Sequence, residues 1–117
     1  MRLFLDILYI IGITYLYDMK AKLIRHEKVT DELGNTIETT VWQVPITKDK
    51  LHGHKYSLVY VVDNKRVIGY DNAEGKGDHR HYKDHEESYQ FTTVWELIKD
   101  FYRDIEEYKG GKVNYEG

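Results

Sequence analysis

The sequence predicts an α+β domain, in which an antiparallel sheet of about four or five strands carries a C-terminal amphipathic helix on one face. Two observations predict this class. Residues 21–70 alternate between segments rich in Val, Ile, Thr and Tyr and short turns rich in Gly, Asn and Asp, which is typical of β-hairpins. The last part of the chain instead places apolar residues at helical spacing. We therefore predict one domain over residues 19–109, which is enough chain for a single core.

The strand segments are read from β-branched and aromatic residues. Four of them are predicted at residues 21–29, 36–44, 56–62 and 66–70. Pro45 ends the second strand because proline cannot donate to a strand ladder. The third is continuously apolar, which favours a central strand covered on both faces. A loop is predicted from residue 71 to about residue 87, followed by a brief strand at residues 88–91.

The C-terminal helix is predicted over residues 93–109. Thr93 and Glu96 have the spacing of a capping box, and Gly110 supplies a stop before a tail at residues 110–117. The apolar stripe consists of Val94, Leu97, Ile98, Phe101, Ile105 and Tyr108. The polar residues expected on the remaining, exposed surface are Lys99, Asp100, Arg103, Asp104, Glu106 and Glu107. This pattern predicts that the stripe packs on the sheet.

Residues 1–18 stand apart from the predicted domain. The segment 3–17 is apolar apart from three residues, but it is about 15 residues long and a membrane-spanning helix needs roughly 20. It also lacks the small-residue cleavage site of a signal peptide. Three interpretations stay open: a buried strand or short helix, a contact with a membrane or partner, and a translated segment upstream of a start at Met19.

Composition narrows the class of function. The chain has no cysteine, which excludes disulfides and thiolate chemistry and is consistent with a cytoplasmic location. The net charge of -3 argues against bulk nucleic-acid binding, although residues 48–85 are mildly basic and contain most of the histidines. Eleven tyrosines against three phenylalanines favour strands and half-exposed surfaces on which bases can stack.

Residues 70–81 bring many polar groups together directly after an apolar strand. They read Tyr-Asp-Asn-Ala-Glu-Gly-Lys-Gly-Asp-His-Arg-His, a set of carboxylates, an amide, two imidazoles, an arginine and two glycines. Such a set could transfer protons and hold a phosphate. It is also compatible with a solvated hairpin connection, in which Arg80 pairs with Asp78 or Glu87.

The histidines and the arginine of this segment match the needs of RNA cleavage without a metal. That reaction requires a base for the 2′-hydroxyl, an acid for the leaving oxygen and a cation for the charge that develops on the phosphate. His79 and His81 could be base and acid, because imidazole titrates nearest to neutral pH, and Arg80 could clamp phosphate oxygens. The supporting candidates are Asp78 to orient an imidazole, Tyr89 to give a hydroxyl or stacking face, and Asp71, Asn72, Gly75, Lys76 and Gly77 to bind substrate.

A metal site is the other specific function that this segment could have. Its ligands would come from Asp78, His79, His81, Asp84 and His85. Histidines at i and i+2 can ligate zinc from one strand face, but the chain has no H-E-x-x-H motif, and we predict no metal and no cofactor. His52 and His54 have the same spacing and are predicted to lie in a turn.

Four pieces of the sequence together resemble the TumE-like family. They are YDNA at residues 70–73, GKGDHRH at residues 75–81, YQF at residues 89–91, and the helix pairs Asp100-Phe101 and Asp104-Ile105. The resemblance covers roughly residues 19–107, so residues 3–17 lie outside it. Such proteins are assigned as toxins of toxin–antitoxin modules, and their partner is typically a helix-turn-helix antitoxin. The resemblance implies a toxin with such a partner, and it does not name the molecule that the toxin attacks.

Two functions from different classes follow. We predict the toxin of a type II toxin–antitoxin module, acting in the cytoplasm as a metal-independent ribonuclease through the His/Arg-rich segment. The alternative is a non-catalytic module that holds a protein or nucleic acid on a tyrosine-rich sheet surface. We predict no firm association with a membrane, and the sequence does not determine the oligomeric state.

Overall fold

In the computed structural model, which describes residues 21–73 and 75–110, six antiparallel strands and one helix form an α+β fold. The elements are β1 (Lys22–Thr30), β2 (Thr36–Gln43), β3 (His54–Val62), β4 (Lys65–Asp71), β5 (His79–Tyr82), β6 (His85–Ser88) and α1 (Val94–Gly110). Each strand pairs with the strands that precede and follow it in sequence, so the sheet is a simple meander. The predicted fold class is confirmed, with slightly more strands than predicted. The interpretations of residues 1–18 lie outside the described residues.

Two of the hairpins are explained by their turn residues. The carboxylate of Asp31 accepts hydrogen bonds from the backbone N–H groups of Leu33 and Asn35, each at 2.9 Å, which closes the turn between β1 and β2. Asp63 and Asn64 have φ angles of 52° and 64°, the left-handed conformation that a tight two-residue hairpin loop requires. Local sequence therefore fixes the register of these strand pairs.

The helix covers one face of the sheet, which we call the inner face; the opposite one is the outer face. The hydroxyl of Thr93 accepts a hydrogen bond from the backbone N–H of Glu96 at 3.0 Å, as a helix cap should. From the helix, Leu97, Phe101 and Ile105 are fully buried. Their partners on the sheet are Ile37, Val41, Tyr56, Leu58, Tyr60, Ile68 and Tyr70. Burying a side chain of this size contributes about 1.5–3 kcal/mol, so this layer is the main source of stability.

Strand β3 shows that the two faces differ. Tyr56, Leu58 and Tyr60 are buried on the inner face, whereas Ser57 is exposed and Val59 is half-buried on the outer face. The prediction that this strand is covered on both faces is therefore wrong for the part of the chain that the structure describes. Within the same residues, no helix is long and apolar enough to cross a membrane.

Three predictions about the second half of the chain are corrected. Residues 71–87 are not one loop, because they contain β5 and most of β6. The last strand ends at Ser88, so residues 89–91 are not a strand. Asp104, expected on the exposed helix surface, is only 1% exposed. These errors share a cause: β5 and β6 lack apolar alternation, and β5 is joined to the helix by polar contacts with Asp104.

The tyrosines of the sheet point inward and pair with carboxylates. Three hydroxyl groups donate hydrogen bonds of 2.6 Å, in the pairs Tyr56–Asp78, Tyr60–Asp31 and Tyr70–Asp104. Burial and the hydrogen bond to Asp31 raise the pKa of Tyr60 to about 12. These side chains supply core volume, and their hydroxyl groups remain satisfied inside it.

Candidate functional site

Strand β5 divides the predicted catalytic residues between the two faces of the sheet. Arg80 lies opposite the core residue Tyr70 of β4, whereas His79 lies opposite Asp71. Because successive side chains of a strand point to opposite faces, Arg80 is on the inner face while His79 and His81 are on the outer face. The structure brings the two histidines together and places the arginine behind them.

On the inner face, Arg80 is held by a buried carboxylate. Its Nε and Nη2 atoms donate to the two oxygens of Asp104 at 2.7 and 3.0 Å, and Nη1 donates to Glu87 at 2.7 Å. The hydroxyl of Tyr70 donates to Asp104 as well, at 2.6 Å. The hydrogen bond with Asp104 raises the pKa of the Arg80 guanidinium above its ordinary value. This bidentate pair joins β5 to α1 and engages the edge of the guanidinium that a phosphate would need.

On the outer face, one ring nitrogen of His79 is bound, and the other has no hydrogen bond to any residue that the structure describes. Its Nδ1 atom lies 3.1 Å from the carbonyl oxygen of Gly77. In the neutral ring this contact requires the proton to be on Nδ1, because a carbonyl can only accept. Nε2 then carries the lone pair, which is the arrangement of a general base.

His81 is placed differently, because carboxylates flank its ring. Its Nε2 atom is 3.5 Å from Oδ2 of Asp71, and its Nδ1 atom is 3.9 Å from Glu86. The side chain is 13% exposed. Asp71 and Glu86 can compensate a positive charge on this ring, so His81 suits the role of a proton donor.

Asp78 and Asn72 make structural contacts at the end of the sheet where β3 begins and β4 ends. Asp78 accepts hydrogen bonds from Tyr56 at 2.6 Å and from Nε2 of His52 at 3.0 Å, so it orients a histidine other than the predicted ones. The side chain of Asn72 is buried, accepts from the backbone N–H of Tyr56 at 3.0 Å and donates to the carbonyl of His54 at 2.7 Å. These bonds continue the pairing of β3 and β4 past the last residue of β4.

The other predicted residues of the segment lie in the turn before β5 and next to the helix. Gly75 and Gly77 have φ angles of 74° and 73°, which favour glycine, and Lys76 is exposed between them. Tyr89 donates a hydrogen bond of 2.5 Å to Asp100 on the helix, so its hydroxyl is directed away from the outer face. Of the predicted substrate-binding residues, Asp71 and Gly77 contact an outer-face histidine: Asp71 faces His81, and the carbonyl of Gly77 contacts His79.

Two histidines outside the predicted site lie on the inner face beneath Phe91. The ring of His52, in the turn, stacks on Phe91 with 3.9 Å between centroids, and His54, the first residue of β3, stacks on it at 5.5 Å. The Nδ1 atom of His54 is buried and has no hydrogen-bond partner in residues 21–73 and 75–110, and burial lowers the pKa of this imidazole. The i, i+2 spacing marks this pair in the sequence, but nothing local indicates Phe91 as its cover.

Arg66 is a cationic residue that the sequence did not single out. It lies on the outer face near the start of β4, and Nη1 is 3.7 Å from Oδ2 of Asp71, the same oxygen that faces His81. Within residues 21–73 and 75–110, no group of three His, Asp or Glu side chains is close enough to hold a metal ion. The part of the outer face around Asp71 thus presents the imidazoles of His79 and His81 and the guanidinium of Arg66 beside the Asp71 carboxylate.

The fold and this polar face define a small α+β domain with one face of its sheet left open by the helix. A sequence model of the family described as Toxin TumE matches residues 12–109, most of the chain, and the chain belongs to this toxin family. The match begins earlier than the resemblance described from the motifs, since it includes residues 12–18. Neither the curated proteins nor the solved structures contain a match.

Proposed function

We propose that this chain is the toxin of a type II toxin–antitoxin module and that it cleaves RNA on the outer face of its sheet, in the cytoplasm. One observation carries the proposal. His79 and His81 lie on the same strand face in opposite settings: the ring of His79 is bound at Nδ1 to a carbonyl, and that of His81 lies beside carboxylates. Membership of a toxin family supports the toxin role.

The two histidines allow a cleavage step in which one proton is taken up and another is given back. Nε2 of His79 takes the proton of a ribose 2′-hydroxyl, and the oxygen attacks the adjacent phosphorus to form a 2′,3′-cyclic phosphate. The bond from phosphorus to the 5′-oxygen breaks, and His81 gives its proton to that oxygen. Two residues along a strand span about 6.6 Å, which leaves room for one phosphate between the rings. Acid and base groups of this kind each contribute about 10²–10⁴-fold to rate.

The remaining predicted residues act behind the two histidines in this proposal. Arg80 holds β5 against the helix through Asp104, and so fixes the strand that carries both rings. Asp78 and Tyr89 anchor the two ends of the β5–β6 hairpin through Tyr56 and the helix. We assign them positioning roles, because their polar atoms are bonded on the inner face.

A helix-turn-helix antitoxin is the proposed partner. Expression of the toxin alone should arrest growth and fragment cellular RNA, and coexpression of the adjacent gene should restore both. The non-catalytic alternative has less support, because the sheet tyrosines that suggested it lie in the core. Growth arrest with intact RNA, unchanged in a His79→Ala variant, would favour that alternative.

Purified protein gives the biochemical test. It should cleave single-stranded RNA with and without a metal chelator, and should leave an RNA with 2′-O-methyl groups intact, because the 2′-hydroxyl is the nucleophile. RNA left intact by folded protein, with or without added divalent metal, would refute the proposed activity.

A further inference from the structure

On the outer face, the side chain of Arg66 lies directly over Gly69. A Cβ atom added at Gly69 would be 2.8 Å from Cδ of Arg66 and 3.3 Å from its Nε. The first distance is shorter than any normal contact between carbon atoms. Gly69 lies within strand β4, just after the irregularity in the register between Arg66 and Ile68, and it is not in a turn. Without a side chain, position 69 is a shallow floor on which the arginine lies. Because the atoms that would clash belong to the flexible side chain of Arg66, a methyl group at position 69 would move the arginine rather than the strand.

The guanidinium of Arg66 is held loosely. Its distance of 3.7 Å to Asp71 is too long for a hydrogen bond, and the side chain is 44% exposed. Arg80, by contrast, is 24% exposed and bonded to Asp104 at 2.7 Å. Of the two arginines compared, Arg66 is thus the one whose planar edge can turn toward a ligand.

The neighbours of Arg66 indicate the chemistry of that ligand. Gly69 lies opposite His81 in the β4–β5 register. Arg66 and His81 therefore lie next to the same position of the sheet, which has no side chain. Guanidinium groups bind phosphates through two parallel N–H donors, and a glycine floor lets the anion approach the sheet closely. The Oδ2 atom of Asp71 lies between the two groups, 3.7 Å from Nη1 of Arg66 and 3.5 Å from Nε2 of His81.

We propose that Arg66, lying over Gly69 beside His81 and Asp71, forms a binding site for the phosphate group of a phosphodiester. The inference rests on the proposed function only in taking RNA as the source of that phosphate. It assigns to Arg66 the contact with phosphate that the sequence had assigned to Arg80. Since Asp71 has the same sign of charge as the ligand, it limits the affinity for a free anion while ordering the site.

The test measures binding separately from cleavage. The purified full chain is titrated with inorganic phosphate, and in a second arm with a 2′-O-methylated oligoribonucleotide, by calorimetry. We expect Arg66→Gln to weaken both by about tenfold or more, and Arg66→Lys by less, because lysine keeps the charge but loses the two-pronged geometry. Lys65→Gln is the matched control, since it removes the same charge one residue away and should change affinity by less than about twofold.

Two further variants sharpen the test. Gly69→Ala should weaken binding severalfold, because the new methyl group displaces Arg66 from the floor. Asp71→Asn should strengthen binding of inorganic phosphate, because a like charge is removed. Urea unfolding of each variant checks that it is folded.

Each outcome decides the proposal. Equal affinities of the wild type and Arg66→Gln for both ligands would overturn it. Binding of inorganic phosphate but not of the oligonucleotide would overturn RNA as the source. If Arg66→Gln loses oligonucleotide binding while the wild type cleaves no RNA, the phosphate site stands and the proposed ribonuclease fails.

Discussion

Arg80 and His79 are adjacent in β5, yet they lie in contrasting environments. Arg80 faces the helix and shares bonds of 2.7–3.0 Å with Asp104, which is almost fully buried. On the face of His79, the His81 imidazole and the Arg66 guanidinium lie 3.5 and 3.7 Å from Asp71. Short contacts to a buried partner fix a structure, whereas longer ones at a partly exposed surface leave side chains free to bind. One strand thus combines a structural face with a proposed reactive face.

The largest expected effect concerns the outer face. His81→Ala should lower the rate of RNA cleavage by about 10²–10⁴-fold, because the proposed acid is lost, while the urea midpoint stays close to that of the wild type. The matched control is His85→Ala, which removes an imidazole that is 70% exposed at the other strand of the same hairpin. Equal losses of cleavage in both variants would contradict a specific role for His81.

On the inner face the expected effect is on stability. Asp104→Ala should reduce the free energy of unfolding by about 3–5 kcal/mol, because it leaves the Arg80 charge partly buried without its main partner. Glu107→Ala, an exposed helix position, should change it by less than about 0.5 kcal/mol. The two urea denaturation curves give the comparison.

A double variant shows whether the penalty comes from the unpaired charge. Arg80→Met combined with Asp104→Leu should be more stable than Asp104→Ala alone, since neither charge is then left without its partner. A double variant as unstable as the single one would show that the cost arises from packing.

A smaller effect on stability is expected from Tyr89, which is bonded to the helix on the inner face. Tyr89→Phe removes the hydrogen bond to Asp100 and should cost about 0.5–1.5 kcal/mol of stability, while RNA cleavage per folded molecule stays within about threefold. Tyr102→Phe is the control on the helix itself, because its hydroxyl has no hydrogen bond among the described residues. A large loss of cleavage in Tyr89→Phe would instead show that the Tyr89 hydroxyl takes part in the reaction.

The smallest effect is a pH dependence from the inner-face imidazole of His54. Burial lowers its pKa in the folded protein below the ordinary value of 6.5, which the unfolded chain retains. Below pH 6.5 the unfolded chain therefore binds more protons, and stability falls as pH falls toward the lower, folded pKa. The urea midpoint should decline less between pH 7 and pH 5 in His54→Gln than in the wild type. Identical declines would show that this ring does not contribute.

Much of the fold was predictable because local sequence encodes it. Turn residues such as Asp31 and Asn64, the Thr93 cap and the helix stripe each specify an element by nearby chemistry. The hairpin of β5 and β6 was not predictable in this way. Its eight strand residues are mostly charged or histidine, and it is held by β4 and by Asp104, which is 24 residues from Arg80 in sequence.

The candidate site was predicted in composition but not in arrangement. His79 and His81 share a face because the segment that carries them is a strand. The sequence could not show that Arg80 faces the other way, since that depends on the register with β4. The sequence could not indicate Arg66 either, because Asp71 brings it close to His81 only when β4 and β5 are paired.

A direct test compares two adjacent substitutions in β5, with cleavage of RNA and urea stability measured on the same samples. We predict that His79→Ala loses cleavage by about 10²–10⁴-fold and keeps its stability. Arg80→Lys should lose about 1–3 kcal/mol of stability, because lysine cannot reproduce the bidentate bond, and should keep its cleavage per folded molecule. The reverse pattern, with cleavage lost in folded Arg80→Lys and retained in His79→Ala, would contradict the division of β5 into a structural and a reactive face.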